Sequence, residues 1–464
     1  MVGDWRKGYW YVIVGFLALG LILYLTSDIE HWLLPRDSHV QDSGRLTDLL
    51  RRQEQGLFEI WNATRDSSHA DALRSQIELN HQIQQLVSGA RHGYDPGMGG
   101  CQGQNFSSRR HGKLVQWRPR EDRFLLVICT SGQISNHLIC LEKHMFFAAL
   151  LDRTLVLPDP SVDYSYEKTL DIAHIRSCLG EKTLLTFHEF LAKNKTDIRL
   201  LCYMSGCYLD EDHEKKIKAL GLSWSSKTDA WPEEASLKGY PSHPRASEFV
   251  AKFSCEDEVL GIGDVFYSDV ESQLVAQIGG PLQHSCKTII RPNRLILLTA
   301  QRFVQTFLGS NFMALHFRRH GFLKFCNVKN ESCFFPIPQA ASCISRKIQE
   351  AKPRVIYVST DAAESEITLL QQLLGPDVPM IQRPQHDSRE KWDAILQRKG
   401  LLADNEVVAM LDKTIRAMAE SFIGTPGSTF TDDIVRLRKE WGSSNSCDGV
   451  LCQGQHPNFI ADTD

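Results

Sequence analysis

Apolar residues open the chain in one unbroken run. Tyr9 to Leu25 reads YWYVIVGFLALGLILYL, 17 residues without a charge, close to the ~20 that a membrane-spanning helix needs. Arg6 and Lys7 precede the run, and Asp28 and Glu30 follow it. The positive-inside tendency then predicts a cytosolic tail at 1–8, a signal anchor at 9–26 and the rest of the chain in a lumen. A cleaved signal peptide is the rival reading, but Leu25-Thr26-Ser27 is a poor cleavage site. Between Arg45 and Val87 apolar residues recur at helical spacing (Leu46, Leu49, Leu50, Leu57, Ile60, then Leu73, Ile77, Ile83, Leu86), with polar residues on the other faces. This pattern predicts an amphipathic helical stem, a surface on which two copies of the chain can dimerise. From Ser88 to Arg120 the composition shifts to Gly, Arg, Gln and Pro, as in a linker. Stem and linker together cover 27–120.

Beyond Arg123 the pattern changes to short apolar runs alternating with helical periodicity. FLLVIC (124–129) reads as a buried parallel strand, Asn136–Leu151 as a helix and TLVL (154–157) as a second strand, stopped by Pro158 and Pro160. A second β-α-β series begins near Asn311: strand FMALHF, a helix over Gln339–Glu350, strand RVIYVST (354–360), a helix over Glu364–Leu374 and a short strand PMIQR (379–383). Ser428–Trp441 reads as a terminal helix. Residues 160–290 show no clear period and read as irregular. The predicted architecture is α/β, with two Rossmann-like domains at 121–300 and 301–464 meeting at a cleft.

Composition narrows the function. Hydrophobic residues make up 42% of the 464 positions and charged residues 23%, which is ordinary globular usage. Lys+Arg 52 against Asp+Glu 56 gives a net charge of −4. That argues against nucleic acid as a partner, since a nucleic-acid binder relies on counterion release by a basic surface. All 13 cysteines follow the anchor, as suits an oxidising lumen. An odd number leaves at least one unpaired; Cys129, inside an apolar strand, is the candidate. Cys202/Cys207 and Cys447/Cys452 are spaced as local loops. The sequons at Asn62, Asn105, Asn194 and Asn330 are N-glycosylation candidates.

Four polar motifs sit at predicted strand ends, where α/β sheets bind ligands. Thr130–Asn136 is a turn with Gly132; it is also a plain helix cap. His316-Phe317-Arg318-Arg319-His320-Gly321-Phe322 ends the strand FMAL, and Arg suits phosphate oxygens; a surface basic cluster or a salt bridge is the bland alternative. Asp361 closes the strand RVIYVST and suits a ribose hydroxyl, a base edge or a helix cap. Gly424–Phe430 opens the last helix with Gly427, Ser428 and Thr429, an anion cradle or a simple helix start. Asp210-Glu211-Asp212 forms a D-x-D, but its charged neighbours suggest a solvated loop rather than a metal site.

These motifs, in this order, resemble the GDP-fucose protein O-fucosyltransferase family over residues 121 to 440, and most closely its plant-type branch of Golgi type II proteins. FLLVICTSGQISNHLICLEKHMFFAALLDRTLVLP resembles the family's opening, HFRRHGF its H-x-R-x-x-D-F motif, VIYVSTDA its third strand and GTPGSTF its phosphate loop. The resemblance implies a GT-B fold and inverting, metal-independent transfer of fucose from GDP-fucose to a protein Ser/Thr or a glycan, with no cofactor. It implies that Arg318 contacts the β-phosphate and the departing oxygen and is catalytic. Asn136, His316, Asp361, Ser428, Thr429 and Phe430 would hold the donor. Two positions depart from the pattern: Gly321 stands where the family has Asp, and the first turn lacks an acidic residue to act as base. A relative using another donor such as UDP-rhamnose, and a catalytically silent binding protein, are the alternative readings. The C-terminal Ile-Ala-Asp-Thr-Asp is not a KDEL-type signal, which favours the Golgi membrane over the endoplasmic reticulum.

Overall fold

The protein is described here from a computed structural model. It describes residues 114–203, 209–231, 245–266, 288–322, 334–384 and 391–458, with isolated residues 53, 101, 207, 268, 282–284 and 286. The chain divides into two compact units, Met1–Met98 and Gly99–Asp464. Of the first unit only Gln53 is described, in a helix. The expected anchor and almost all of the stem lie outside the described residues, as do Asn62, Asn105 and Asn330. Among the described residues no helix is long and apolar enough to cross a membrane.

The second unit holds two parallel sheets. The first has six strands: β1 (Phe124–Leu126), β2 (Thr154–Val156), β3 (Leu184–Leu185), β4 (Asp197–Cys202), β5 (Ser223–Asp229) and β6 (Val259–Ile262), in the order β3-β2-β1-β6-β4-β5. Phe124 is in register with Thr154 on one side and Val259 on the other. The second has five: β7 (Phe312–Phe317), β8 (Val355–Thr360), β9 (Met380–Ile381), β10 (Ser421–Gly424) and β11 (Gly449–Val450), in the order β11-β10-β7-β8-β9. Both orders reverse direction beside their first strand, at β1/β6 and at β7/β10. Such a switch point opens a crevice at the strands' carboxyl ends.

The expected elements around 124–157 and 312–374 are present, with ends shifted by one to three residues. The expected irregular stretch is not irregular: it supplies β3 to β6 and completes the first sheet. Trp117, placed in the linker by composition, is buried, and its Nε1 donates to the Arg153 carbonyl at 2.8 Å. An indole of that size gains more by burial than a Gly-rich neighbourhood costs it in order.

Alternate residues of each central strand face opposite layers, and both layers are apolar. Leu125, Leu155 and Leu260 join helix α1 (Ile134–Leu150), while Phe124, Leu126, Val156 and Leu200 pack a separate cluster on the other face. In the second sheet Phe312, Ala314, Tyr357 and Phe422 share the first cluster; Met313, Leu315, Ile356 and Val358 pack against helix α5 (Ile337–Ala351). One apolar core therefore spans both sheets, and each fully buried Leu or Phe adds roughly 1.5–3 kcal/mol. Between them in sequence lie α2 (Glu211–Ala219), α3 (Ala246–Phe253) and α4 (Arg294–Phe303); α6 (Glu364–Leu374), α7 (Asn405–Ala417) and α8 (Thr429–Trp441) follow.

An ionic network also crosses between the halves. The fully buried Lys413 of α7 pairs with Asp433 of α8 and reaches Ser135 Oγ of α1 at 3.0 Å. Arg436 of α8 meets Glu142 of α1 at 2.8 Å and Glu440 at 3.2 Å. Removing one member of such a pair strands the other charge, which fixes the relative placement of α1 and α8.

The cysteines correct two expectations. Cys129 is paired with Cys140, nearly two turns into α1, because the strand end and the first half of the helix face each other there. Cys447 pairs with Cys101 and Cys452 with Cys343 instead of with each other, while Cys202–Cys207 does form the local loop and Cys178 joins Cys286. Among the described residues the free thiol is Cys255. The D-x-D does not lie in a loop but opens a helix: Asp210 caps α2, accepting the His213 N–H at 2.9 Å, and Asp212 pairs with Lys216 on the helix surface.

Candidate active site

The carboxyl ends of β7, β8 and β10 meet the start of α1. Thr425, one residue beyond β10, knits two of these ends together. Its Oγ1 accepts the Arg318 backbone N–H at 2.8 Å and donates to the His316 carbonyl at 3.0 Å. Across the crevice the Thr429 hydroxyl donates to Asn136 Oδ1 at 2.7 Å, so the first turn of α1 touches the first turn of α8. Gly132 makes that reach possible. Its φ is +80°, and a Cβ there would lie 2.1 Å from Asn136 Nδ2.

The basic motif after β7 divides into unlike parts. Arg318 keeps 30% of its side chain exposed, whereas Arg319 keeps 5%. Arg319 is structural: it pairs with Glu366 at 2.6 Å, donates to the Phe335 carbonyl at 2.5 Å and lies over the Phe334 ring. His320 is exposed and meets Glu366 at 2.8 Å. His316 is buried and shares a hydrogen bond of 2.9 Å with Thr431 Oγ1. Burial, reinforced by the charges of Arg416, Arg318 and Lys413, lowers its pKa well below the ordinary histidine value. It is therefore neutral at neutral pH, and of the motif's two arginines only Arg318 is accessible.

Asp361 follows β8 and turns toward that motif. Its carboxylate accepts the backbone N–H of Arg319 at 2.6 Å and of Gly321 at 2.7 Å, and lies 3.2 Å from Arg318 Nη1. The loop after β10 brings Gly427 at φ +71° and then α8, whose N-cap Ser428 makes no side-chain capping bond. The positive end of the α8 dipole therefore faces the crevice beside Arg318, as in anion-binding helix starts. Phe430, half-buried, lies 5.0 Å from the His316 ring. All seven residues singled out in the sequence lie at these strand ends and helix starts.

Comparison with known proteins decides the family. The chain is 50% identical to O-fucosyltransferase 14 of Arabidopsis thaliana over 493 aligned positions, spanning 96% of this chain and 86% of that one. It is 48% identical to O-fucosyltransferase 36 of the same plant, spanning 98% and 89%. The chain belongs to the O-fucosyltransferase family. These are glycosyltransferases, and the GT-B-like α/β architecture agrees with that membership. The crystal structure of POFUT1 in complex with GDP-fucose superposes on 72% of this O-fucosyltransferase-family chain and 99% of its own, with a TM-score of 0.50 and 15% identity, a likeness of fold. No family model matches the chain.

The structure adds residues that the sequence did not flag. Lys413 and Arg416 of α7 each lie 5.0 Å from the Phe430 ring centroid. Arg416 is 2% exposed, and its Nε and Nη1 have no hydrogen-bond partner. Unpaired buried nitrogens of that kind are uncommon, which marks Arg416 as a further candidate residue of the site. Their sequence signal, NEVVAMLDKTIRA, is an ordinary amphipathic helix, so nothing local marked them. Asp264, beyond β6, holds the first turn: it accepts the N–H of Thr130 at 2.9 Å, of Ser131 at 2.5 Å and of Phe266 at 2.8 Å. Burial alone would raise its carboxyl pKa, but these bonds outweigh burial and keep it below the ordinary value.

Proposed function

We propose that this chain transfers fucose from GDP-fucose to a hydroxyl of a protein Ser/Thr or a glycan, with inversion. In that step the acceptor oxygen bonds to the anomeric carbon. The bond from that carbon to the β-phosphate oxygen breaks, its electron pair stays on GDP, and the hydroxyl proton leaves to solvent water. Negative charge grows on the β-phosphate as the bond breaks. The observation that carries the reading is the juxtaposition of the exposed Arg318 guanidinium with the uncapped start of α8, joined through Thr425. Both are fixed before the reaction, so they stabilise that charge without reorganising.

Arg318 is the catalytic residue in this reading. Ser428 and Thr429 meet the diphosphate, Phe430 and neutral His316 flank the nucleoside, and Asn136 stands beside the sugar. No metal is required, since Arg318 and the helix start supply the positive end. We also place the protein in the Golgi membrane as a single-pass type II protein anchored by residues 9–26. The five disulfides among the described residues support an oxidising lumen. Asn194, exposed in a turn before β4, is the sequon available for glycosylation among the described residues.

The test is calorimetric binding of GDP-fucose, GDP, UDP-galactose and UDP-rhamnose to the full chain, with Arg318→Ala beside it and chelator present. GDP-fucose binding that survives chelation and weakens in the variant is the expected result. Preference for a UDP-sugar would move the donor assignment. No binding to folded protein would leave a scaffold role.

A further inference from the structure

The turn after β7 is held by two carboxylates from the next strand and helix. Glu366 of α6 takes the Arg319 guanidinium and His320. Asp361 takes what remains: two backbone N–H groups and the Arg318 guanidinium. A carboxylate offers about four lone-pair positions, and these three donors all come from the fold itself.

Gly321 lies against the same guanidinium, next to the Asp361 carboxylate. Its φ is not in the left-handed region, so backbone freedom is not what glycine supplies here. Space is. A Cβ at 321 would lie 2.4 Å from Arg318 Nη2, 2.8 Å from its Cζ and 2.9 Å from Asp361 Oδ2. Any larger residue would push the guanidinium off its carboxylate by about an ångström, given ordinary contacts of ~3.4 Å or more. Arg318 is thus held by a carboxylate and lies close against a bare stretch of backbone.

We infer that Asp361 and Gly321 are the positioning residues of Arg318, and that Asp361 acts through this arginine rather than as a ligand of the nucleotide. The inference rests on the transfer reading above. It gives Gly321 a function: the missing side chain is what lets Asp361 orient the guanidinium from the adjacent strand. One guanidinium N–H goes to Asp361, and the remainder of the fork stays available for a phosphate. Misplacing a charge of this kind by about 1 Å costs on the order of 10²-fold in rate.

The experiment is a double-mutant cycle on the full chain, read as kcat for fucosyl transfer and as GDP Kd, with thermal melting to confirm folding. Asp361→Asn is expected to lower kcat about 10- to 100-fold while GDP Kd moves less than about threefold. Gly321→Ala leaves the carboxylate in place and is expected to give the same split, so it carries the test if Asp361→Asn does not fold. In the Arg318→Ala background both substitutions are expected to cost almost nothing further, the signature of coupled residues. Two results overturn the inference alone, with an active wild type: a GDP Kd that rises in step with the loss of activity, or equal losses with and without Arg318. A wild-type chain that binds no GDP-sugar overturns the transfer reading, and the inference with it.

Discussion

The two halves of the unit solve one problem in the same way and use the solution differently. In each, the turn after the central strand is tied by a carboxylate from the end of a neighbouring strand: Asp264 beside β1, Asp361 beside β7. In the first half the carboxylate takes the backbone N–H groups of Thr130 and Ser131 and nothing charged. Those donors are then unavailable to an anion, and the turn presents a neutral amide, Asn136. In the second half the same kind of carboxylate also pairs with Arg318; the starts of α1 and α8 both lack a side-chain cap, so the difference lies in that guanidinium. A shared scaffold device thus yields a neutral wall and a cationic wall. The sidedness of the crevice comes from a few side chains rather than from the sheets.

The largest effect should expose that sidedness directly. Arg318→Ala is expected to lower kcat by about 10²–10³, the cost of losing a preorganised donor to developing charge. Asn136→Ala removes one neutral hydrogen bond, worth about 1 kcal/mol, and should cost roughly fivefold. Steady-state release of GDP with saturating acceptor measures both. Equal losses would mean that both walls carry charge-dependent chemistry and would break the comparison.

A second contrast sets two of the fully buried arginines, Arg153 and Arg416, against each other. Arg153 in the first half is satisfied by backbone carbonyls of Phe124, Asp257 and Cys255 at 3.2, 2.9 and 2.8 Å. Arg416 in the second half has unpaired Nε and Nη1 beside Phe430. Arg153→Met should destabilise the protein by about 3 kcal/mol, because it strands several acceptors. Arg416→Met should leave the melting temperature unchanged or raise it, as replacing poorly compensated buried charge often does. Its GDP affinity should fall about tenfold, the loss of one charge-assisted bond. Melting curves and calorimetry on both variants check this; a destabilised Arg416→Met with normal GDP binding would make Arg416 a plain structural residue.

The strands that build these walls were unequally legible. FLLVIC, FMAL and VIYV are unbroken apolar runs because both their faces are buried, and they stand out in the sequence. β5 reads SWSSKTD because it is an edge strand with an exposed face, and polar edge strands carry no apolar period. β3 and β11 have two residues each, too short for any period to show, whereas the equally short β9 falls inside the expected strand PMIQR. The site residues were legible because glycine, arginine and hydroxyl residues cluster where apolar runs stop. The residues behind them were not. Asp264 lies 134 positions from Thr130, and only the parallel pairing of β1 with β6 brings the two together. Gly321 was visible as a departure from a motif, but its use depends on where the Arg318 side chain lies. The pairing of Cys129 likewise depends on α1 folding back across the strand end.

Asp264→Asn sharpens the comparison at a smaller scale. It keeps the shape of the side chain and removes the charge that accepts three backbone N–H groups. Stability should fall by about 2–3 kcal/mol, since bonds to a charged acceptor are worth about 1.5–3 kcal/mol each and an amide retains part of them. The kcat of the folded fraction should change less than in Asp361→Asn, because Asp264 holds backbone N–H groups where Asp361 also holds a guanidinium. Chemical denaturation of the variant, with activity normalised to the folded fraction, separates the two quantities. A large kcat loss at unchanged stability would show that the neutral wall takes part in the chemistry.

The smallest expected effect is acid sensitivity, and it too differs between the halves. Each half buries a histidine whose pKa is lowered. His144 lies between the carbonyls of Cys140 at 2.9 Å and Ile262 at 3.3 Å, and burial lowers its pKa despite those acceptors and despite Asp264 and Asp163. His316 is lowered much further, because burial is reinforced by Arg416, Arg318 and Lys413. Above the unfolded histidine value of about 6.5 both states are neutral and neither residue affects stability. As pH falls through that value the unfolded chain takes up protons that the folded chain refuses, so stability drops with falling pH, by at most about 1.4 kcal/mol per histidine per unit. The drop for each ends only when its own folded pKa is reached, which comes at lower pH for His316. Melting temperature should therefore decline between pH 7 and pH 5 in the wild type. His316→Asn, which keeps a polar atom near Thr431, should decline less steeply, and the difference should widen toward pH 5. Parallel curves for the two proteins would mean that His316 can accept a proton within the fold, and the second half would then hold its cations far enough apart to tolerate another.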